Sequence, residues 1–532
     1  MKRIALLILL VLNTSAALAQ PAEPPTEKIL RFRLAGEPTT LDWNLAHTPY
    51  EIYLLMNLME GLVRLPSSLK PEPGLASGWK ILDGGRKYVF QLRPGLKWSD
   101  GVPLTAQHFV DSWKRLLAPL TAAPYAYFLF DIEGAAEFNA GQISDFSLVG
   151  IKAVDERTLE VKLKQPVAHW IYLPSFWVCF PIRLDLIEKH GVGWERPGKM
   201  ASVGPFLLSQ YDDGRSYTMT ANPAYYGGKP AIDKLVGMIV PKSEDAIDQF
   251  QKGKLDIAPQ LTGAGLLKQL KKFPYLRTLY LGMNTSRFPT QNVGLRRAIA
   301  AAISKKNIIA GAGVRGTIAT SFVPPGLLGY EKKAGIDFDL NRARKELAKE
   351  NLSVSTLPEL ELMVSDSETN QKLALQVVEE LKKNLGLRVK LNALPLKTYT
   401  VRRQMHSAEL FLSSWVADYP DADNFLSVFF SSSGNNFTGF KNPDFDLEVA
   451  NARTATSEAH RKSAYVTAQK HLLETEAVIV PLYYDVNEIL MSDRVSGVEV
   501  TPLNHIFFRS ARLSGSTKRE PEEEKLGPLL YK

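Results

Sequence analysis

Three carboxylates lie close together near the end of the chain, in the stretch SSWVADYPDADNF at residues 413 to 425. Asp418, Asp421 and Asp423 fall within six positions, with aromatic residues on both sides. Such a cluster could bind a metal ion, act as a general acid and base pair, or neutralise a cationic ligand. These three chemistries make different demands on the rest of the sequence.

Metal binding and catalysis are poorly supported by the sequence. A calcium loop needs a glycine for its sharp turn and a closing glutamate, and DYPDADNF has neither. The histidines are scattered, with no H-E-x-x-H pattern, and no G-x-S-x-G elbow is present. Catalytic triads are assembled in space, so an enzyme is not excluded. The pattern favours a cationic ligand, and we expect no catalytic residue, metal or cofactor.

Two glycine-rich stretches resemble nucleotide-binding motifs only in part. GAGVRG at 311 to 316 fits G-x-G-x-x-G, but a dinucleotide loop must follow a strand and open a helix, and this one follows a predicted helix. GWERPGKM at 193 to 200 has Met200 where a phosphate loop needs a hydroxyl residue for magnesium. We therefore expect a helix end and a surface turn.

The N-terminus has the pattern of a secretory signal. Lys2 and Arg3 precede an apolar run from Ile4 to Leu12, and Ala17 and Ala19 are small residues at the positions a signal peptidase reads. This predicts a signal peptide at residues 1–19, cleaved before Gln20. No cysteine at that point could carry a lipid, which favours the periplasm of a Gram-negative bacterium over a tethered lipoprotein.

Size, charge and cysteine content indicate a large exported protein with its own core. The chain has 532 residues and a formal net charge of +8, without a block of Lys and Arg interleaved with aromatics for nucleic acid. Its only cysteine, Cys179, lies in the apolar stretch PSFWVCFPI, which favours a buried, inert thiol. No later stretch approaches the eighteen consecutive apolar residues of a membrane span.

Strand-like and helix-like segments alternate between a polar leader and a polar tail, which indicates a mixed α/β fold. YVFQL at 88 to 92 predicts a strand, and Thr105 is placed to begin the helix that follows. LRRAIAAAISKKNII at 295 to 309 predicts one helix, stopped by Gly311 and Gly313. AVIVPLYYDV at 477 to 486 predicts a late buried strand.

The order of several segments resembles one family, the periplasmic oligopeptide-binding proteins. These are the solute receptors of peptide ABC transporters, in extracellular solute-binding protein family 5. The similar segments, in the family's order, are YVFQLRPGLKWSDGVPLTAQHFVDSW at 88 to 113, APYAYFL at 123 to 129, SVGPFLLSQYDDGRSYTMTANPAYYGG at 202 to 228, LRRAIAAAISKKNII at 295 to 309, FVPPG at 322 to 326, WVADY at 415 to 419 and VPLYYDVN at 480 to 487.

The resemblance implies a two-lobed periplasmic binding protein of class II and the three-domain type, with a ligand cleft between the lobes. By analogy, residues 20–65, 196–284 and 498–515 form domain I, the first lobe. Residues 66–195 form domain II, the outer part of that lobe, and residues 285–497 form domain III, the second lobe. Residues 516–532 are a polar C-terminal tail.

The resemblance also implies the site. Asp418 matches the family's aspartate that pairs with the α-amino group of the peptide. An enclosed ammonium needs such a partner, because an unpaired charge in a water-poor cleft is costly. Asp421 and Asp423 are interpreted as caps of a turn or of the following helix. The remaining ligand-binding candidates are Trp415, Val416, Ala417, Tyr125, Ala126, Tyr127, Arg403, Tyr483, Tyr484 and His47. For each tyrosine, a place in the core is an equal alternative.

At the other end of the ligand the sequence departs from the family. Arg403 matches one basic residue that pairs with peptide carboxylates, but Asn370 and Leu412 stand where other basic groups are expected, and His47 replaces an acid. The function implied is an oligopeptide receptor, expected to be a monomer, that delivers its ligand to the permease and ATPase subunits of an ABC importer. A muropeptide or non-peptide solute, or an exported hydrolase or chaperone, remains an alternative.

Overall fold

The computed structural model describes residues 27–261 and 267–514. The predicted signal peptide and polar tail lie outside these ranges. The helices are α1 Pro49–Leu58, α2 Ala106–Leu117, α3 Ala135–Asn139, α4 Leu184–His190, α5 Ser243–Gln251, α6 Val293–Ala302, α7 Lys305–Ala312, α8 Leu340–Lys349, α9 Glu368–Leu385, α10 Leu396–Gln404, α11 Ala422–Leu426, α12 Pro443–Thr454 and α13 Glu458–Lys470.

Most strands belong to one large mixed sheet. The strands are β1 Ile29–Leu34, β2 Val63–Arg64, β3 Glu72–Pro73, β4 Ala76–Leu82, β5 Lys87–Leu92, β6 Ile151–Asp155, β7 Thr158–Lys162, β8 Phe206–Asp212, β9 Ser216–Ala221, β10 Lys234–Ile239, β11 Ile257–Ala258, β12 Leu270–Met283, β13 Thr317–Ile318, β14 Leu360–Ser365, β15 Val389–Leu394, β16 Leu410–Val416, β17 Ile479–Met491, β18 Val495–Ser496, β19 Glu499–Val500, β20 Ile506–Phe507 and β21 Arg512–Leu513.

Two long strands, β12 and β17, join the two halves of this sheet. Its order is β15-β14-β16-β12-β17-β11-β1-β10-β9-β8, with β13 beside β17. The antiparallel β12–β17 ladder runs from Leu270 opposite Leu490 to Gly282 opposite Ile479, with a register shift between Pro274 and Thr278. The two lobes are thus connected through a shared ladder that is interrupted in the middle.

A separate sheet, β4-β5-β7-β6, lies entirely within residues 66–195, which we call the outer segment. Helix α2 packs against it through Phe109, Trp113 and Leu116, all fully buried. The predicted capping by Thr105 is confirmed, since its side chain and that of His108 form a reciprocal cap. The strand predicted at 88 to 92 is confirmed as β5. The predicted domain boundaries remain predictions.

The second half of the large sheet is buried on both faces. Along β12, Leu279 and Leu281 face one core with α6, α7 and α9, whereas Tyr280 faces a second core with α11, α12 and α13. The strand predicted at 477 to 486 is confirmed as the start of β17, which begins at Ile479. Within the described ranges, no helix combines the length and apolar character needed to cross a bilayer.

One predicted helix is wrong in its extent. Residues 295 to 309 form two helices rather than one, because Ser304 caps the start of α7 by accepting a hydrogen bond from the Asn307 amide. A serine side chain competes with helical backbone bonding and favours a helix start. Gly313, with φ of 67°, ends α7 as predicted. GAGVRG therefore follows a helix and does not open one.

Candidate functional site

The end of strand β16 and the turn after it hold Asp418 in place. The Ala417 amide donates to the Leu276 carbonyl at 2.9 Å, which extends the contact with β12 by one residue. Asn424 Oδ1 then accepts from the Asp418 amide at 3.0 Å and from Trp415 Nε1 at 2.9 Å. One buried side chain therefore sets both the turn and the indole orientation.

Asp418 lines a cavity of about 390 Å³ between the outer segment and the second lobe. Burial raises the pKa of its carboxyl group to about 7, and the hydrogen bond with Asn424 only partly opposes this. Among the described residues, no Lys, Arg or His forms an ion pair with Asp418, although 26 such pairs occur elsewhere. A carboxyl group so placed gains a strong interaction when a cation enters the cavity.

Tyr127, from the outer segment, lines the same cavity and is about half exposed. Burial and the nearby Asp418 charge raise the pKa of Tyr127 and of Tyr125. Tyr125 packs edge-on against Trp177 with ring centroids 5.5 Å apart, and Ala126 is buried between the two tyrosines in sequence. The predicted segments at 125 to 127 and 415 to 418 therefore meet across the cavity.

Strand β16 leaves part of one edge unpaired. Residues Leu410 to Val416 pair with β12 on one side. On the other side, only Leu410 and Phe411 pair with β14, and the Leu412 carbonyl accepts from the Tyr399 hydroxyl. In the described part of the chain, the edge from Ser413 to Val416 has no strand beside it. An extended ligand could pair with this edge by strand addition.

Arg403 lies on α10 and reaches back to β16. Its Nη1 donates to Ser413 Oγ at 2.6 Å, and the guanidinium lies 4.0 Å from the centroid of the Phe437 ring. No ion pair to a carboxylate is found for it among the described residues, and its Nε is buried without a hydrogen-bond partner. It is a preformed cation that could pair with a ligand anion.

Asn370 and Leu412 have structural roles. Asn370 Nδ2 donates to Ser365 Oγ at 2.7 Å at the start of α9. Leu412 is buried in the core of the second lobe. Neither supplies a cation, as the sequence indicated.

Three other predicted site residues do not line the cavity beside Asp418. Tyr483 is buried in the second-lobe core, and Tyr484 is buried with its hydroxyl donating to the Ser321 carbonyl at 2.9 Å. His47 is exposed in the loop before α1, next to Ala46, whose carbonyl accepts from Trp177 Nε1. His47 therefore lies on the first-lobe side, beyond the aromatic group that contains Tyr125.

The other two carboxylates of the opening cluster are already paired. Asp421 caps α11, as predicted, by accepting from the Asp423 amide at 3.0 Å; it also pairs with Arg461 and accepts from the Tyr465 hydroxyl. Asp423 makes no cap. Its Oδ2 accepts from the Tyr419 hydroxyl at 2.7 Å, and the carboxylate faces Arg453.

Sequence reasoning missed four cavity residues: Asn424, Asp131, Arg453 and His169. Asp131 and Arg453 are 322 positions apart and belong to different segments, so no spacing pattern could connect them. Asn424 follows the DYPDAD stretch directly and would have been the accessible one, because an amide there suits a turn. In the described ranges, no group of three or more His, Cys, Asp or Glu side chains is arranged to bind a metal.

Comparisons with known proteins agree with this geometry. Residues 70–437 match the family model described as bacterial extracellular solute-binding proteins, family 5 middle. The probable deoxycholate-binding periplasmic protein YgiS of Escherichia coli K12 is 30% identical over 508 residues, covering 92% of this chain and 94% of that protein. The periplasmic oligopeptide-binding protein OppA of the same bacterium is 30% identical over 496 residues, covering 89% and 90%.

Solved structures show the same two-lobed fold. The murein tripeptide-binding protein MppA of Escherichia coli superposes with a TM-score of 0.77 at 28% identity, over 92% of this chain and 99% of that chain. A fold similarity of this extent includes both the long β12–β17 ladder and the cavity beside Asp418.

Proposed function

This chain belongs to the bacterial extracellular solute-binding proteins of family 5, and we propose that it is a periplasmic receptor for oligopeptides. It binds a peptide between its lobes and delivers it to the permease and ATPase subunits of an ABC importer. The observation that carries the proposal is the Asp418 carboxyl group, which lines the inter-lobe cavity without a cationic partner among the described residues.

The α-ammonium group of a peptide complements this carboxyl group. An unpaired carboxylate in a site poor in water is unfavourable, and a bound cation removes that cost for both charges. The ionised form of Asp418, disfavoured in the empty protein, is restored when the ammonium binds. Asp418 is therefore the ligand-binding residue that fixes the N-terminal end of the peptide.

The peptide backbone has a matching surface in the edge of β16. Ser413 to Val416 offer backbone groups that lack a strand partner on one side. A peptide lying along this edge would place its amine near Asp418, because the edge leads directly into the turn that holds it. Backbone pairing of this kind is independent of sequence, which suits a receptor for varied peptides.

Binding across the cleft also accounts for closure. A ligand that contacts Asp418 in the second lobe and Tyr127 in the outer segment makes both contacts only when the lobes are close together. Differential contact of this kind stabilises the closed form relative to the open form. The closed form would present one defined surface to the permease.

A binding role is favoured over catalysis because the cavity contains carboxylates but no nucleophile with an adjacent base. A hydrolase on this scaffold would convert a bound peptide into fragments. Mass spectrometry of peptide released by unfolding distinguishes the two, because a receptor returns intact peptide.

Two relatives suggest narrower ligands. A murein peptide carries a free amine, so the MppA similarity is compatible with the same use of Asp418. Deoxycholate, which the YgiS relative is named for, is an anion without an amine. It would gain nothing from Asp418 and would need Arg403 instead.

The proposal is tested by thermal unfolding of protein that has been unfolded, freed of cargo and refolded. Short peptides with free N-termini, at a hundred times the dissociation constant, should add about 2.7 kcal/mol of stability. The same peptides with acetylated N-termini should have little effect.

Asp418→Asn should lose the response to free peptides. Asp366→Asn, a change of the same chemistry at an exposed position, should retain it. Equal stabilisation by free and acetylated peptides would remove Asp418 from amine recognition. A response to deoxycholate but to no peptide would overturn the peptide proposal.

A further inference from the structure

Besides Asp418, the inter-lobe cavity is lined by a second charged group, which we call the Arg453 cluster: Asp131, Asp423, Arg453 and His169. Arg453 Nη2 lies 3.2 Å from Asp131 Oδ2, and Arg453 Nε lies 3.4 Å from Asp423 Oδ1. Two carboxylates from different segments therefore share one guanidinium. With an uncharged His169, the cluster carries one negative charge in excess.

The cluster has hydrogen-bonding capacity that the protein does not use. Asp423 is only 1% exposed, and its Oδ1 accepts no hydrogen bond although it lines the cavity. Nδ1 of His169, which is 2% exposed, also has no hydrogen-bond partner and lies 3.7 Å from Asp423 Oδ2. Buried polar atoms are almost always satisfied, so an unused acceptor beside a cavity points to a donor from a ligand.

The cavity also offers an apolar path to these acceptors. Phe128, Leu173 and Val428 are buried and line it together with the Arg453 cluster. Lysine and arginine side chains have an apolar stem and a charged head, and they pack the stem against such surfaces. A cavity of about 390 Å³ has room for one such side chain.

We propose that the cavity selects ligands whose first residue has a basic side chain, with its charged head neutralised by Asp131 and Asp423. This rests on the proposed function, because the first side chain enters this cavity only if the α-amino group pairs with Asp418. The ligand then contributes two positive charges: one pairs with Asp418, and the other balances the excess charge of the Arg453 cluster. The proposal replaces a cleft without side-chain preference by one with a preference at a single position.

The test is isothermal titration calorimetry of the refolded, cargo-free protein at pH 8 with four tripeptides. Their sequences are Lys-Ala-Ala, norleucine-Ala-Ala, Glu-Ala-Ala and Ala-Lys-Ala. Norleucine keeps the length of the lysine stem and removes its charge. We expect Lys-Ala-Ala to bind at least tenfold more tightly than norleucine-Ala-Ala, Glu-Ala-Ala to bind most weakly, and Ala-Lys-Ala to show no such gain.

Two variants locate the preference. Asp423→Asn and Asp131→Asn should each reduce the advantage of lysine over norleucine and leave the affinity for norleucine-Ala-Ala unchanged. Asp423 also accepts from Tyr419, so its replacement could impair folding. Asp131 is 23% exposed and supplies an independent test.

Equal affinity for the lysine, norleucine and glutamate peptides would overturn this inference and leave the peptide receptor intact. A lysine preference that persists in both variants would also overturn it. Failure of all four peptides to bind would overturn the inference and the proposed function together.

Discussion

Asp418 makes the stability of the empty protein depend on pH. An aspartate in an unfolded chain titrates near 3.9, whereas burial raises the pKa of Asp418 to about 7 in the folded protein. Between these values the folded form holds a proton that the unfolded form has lost. The contribution of this group to the free energy of unfolding is therefore complete below about pH 4 and is lost as the pH rises through 7.

Asp418→Asn should remove this decline. We expect urea unfolding of the cargo-free wild type to show roughly 2 kcal/mol less stability at pH 8 than at pH 4 from this group, after subtraction of the variant's own profile. Asp366→Asn should follow the wild type, because this side chain is exposed. Parallel profiles for wild type and Asp418→Asn would contradict the raised pKa.

Asn424 should matter for binding as well as for stability. Its Oδ1 accepts from both Trp415 and the Asp418 amide, so Asn424→Ala removes the bonds that hold the carboxyl group in position. We expect an affinity loss of about tenfold for free peptides and a stability loss of about 2 kcal/mol. Asn424→Asp retains an acceptor oxygen and should lose less stability. An unchanged peptide affinity in Asn424→Ala would show that the turn is held by other contacts.

At this scale the sequence allowed Asp418 and the 125 to 127 segment to be selected, because each lies in a recognisable local stretch. It could not identify Asp131, His169 or Arg453 as neighbours, since they meet only through the packing of separate segments. Tyr483 and Tyr484 show the opposite difficulty. Neighbouring residues on a strand point to opposite faces, yet β17 is buried on both, so both side chains enter cores.

Among the elements, α11 depends strongly on its first capping residue. Asp421 is 4% exposed, caps the helix, and accepts from Arg461 and the Tyr465 hydroxyl, both on α13. Asp421→Ala should cost roughly 3 kcal/mol in the free energy of unfolding, because it leaves a buried guanidinium unpaired and removes the cap.

Asp421→Asn is the matched control for this prediction. An asparagine keeps the capping oxygen and loses only the charge, so urea unfolding should show a smaller cost. Equal losses in the two variants would assign the whole effect to the ion pair with Arg461. Because Asp421 does not line the cavity beside Asp418, Asp421→Asn should leave the affinity for peptides nearly unchanged.

Element types were predictable where the pattern was long or local, and boundaries were not. The alternation in YVFQL and the capping position of Thr105 correspond to β5 and α2. The apolar run from 295 to 309 concealed a helix break, because Ile303 continues the helical spacing although its φ of −93° and ψ of 113° are extended. Periodicity describes which side chains are buried, and both helices bury theirs in the same core.

For the whole molecule, the two lobes should approach each other on binding. The contacts between the outer segment and the second lobe include the stacked rings of His169 and Tyr419, 4.7 Å apart. We expect small-angle scattering to show a smaller radius of gyration when a free-amine peptide is added to the cargo-free wild type. Asp418→Asn should show no change with the same peptide. A constant radius in a wild-type sample that binds peptide calorimetrically would contradict closure.

The resemblance made the two-lobed architecture predictable, whereas the path of the chain through the large sheet was not readable from local patterns. Strand order depends on pairings such as β1 with β10 and β11 with β17, which join distant residues. Only the collinear similarity to known family members carried that information.

The pairing of β1 also sets an order on folding as the chain emerges from its N-terminal end. Ile29 pairs with Lys234, and Asn57 on α1 donates to the carbonyl of Ile506. The outer sheet, by contrast, needs only residues between Ala76 and Lys162. The outer segment can therefore form its sheet early, whereas the first strand must wait, unpaired, until nearly the whole chain has appeared. A chaperone that protects emerging chains would find its binding site in that waiting strand.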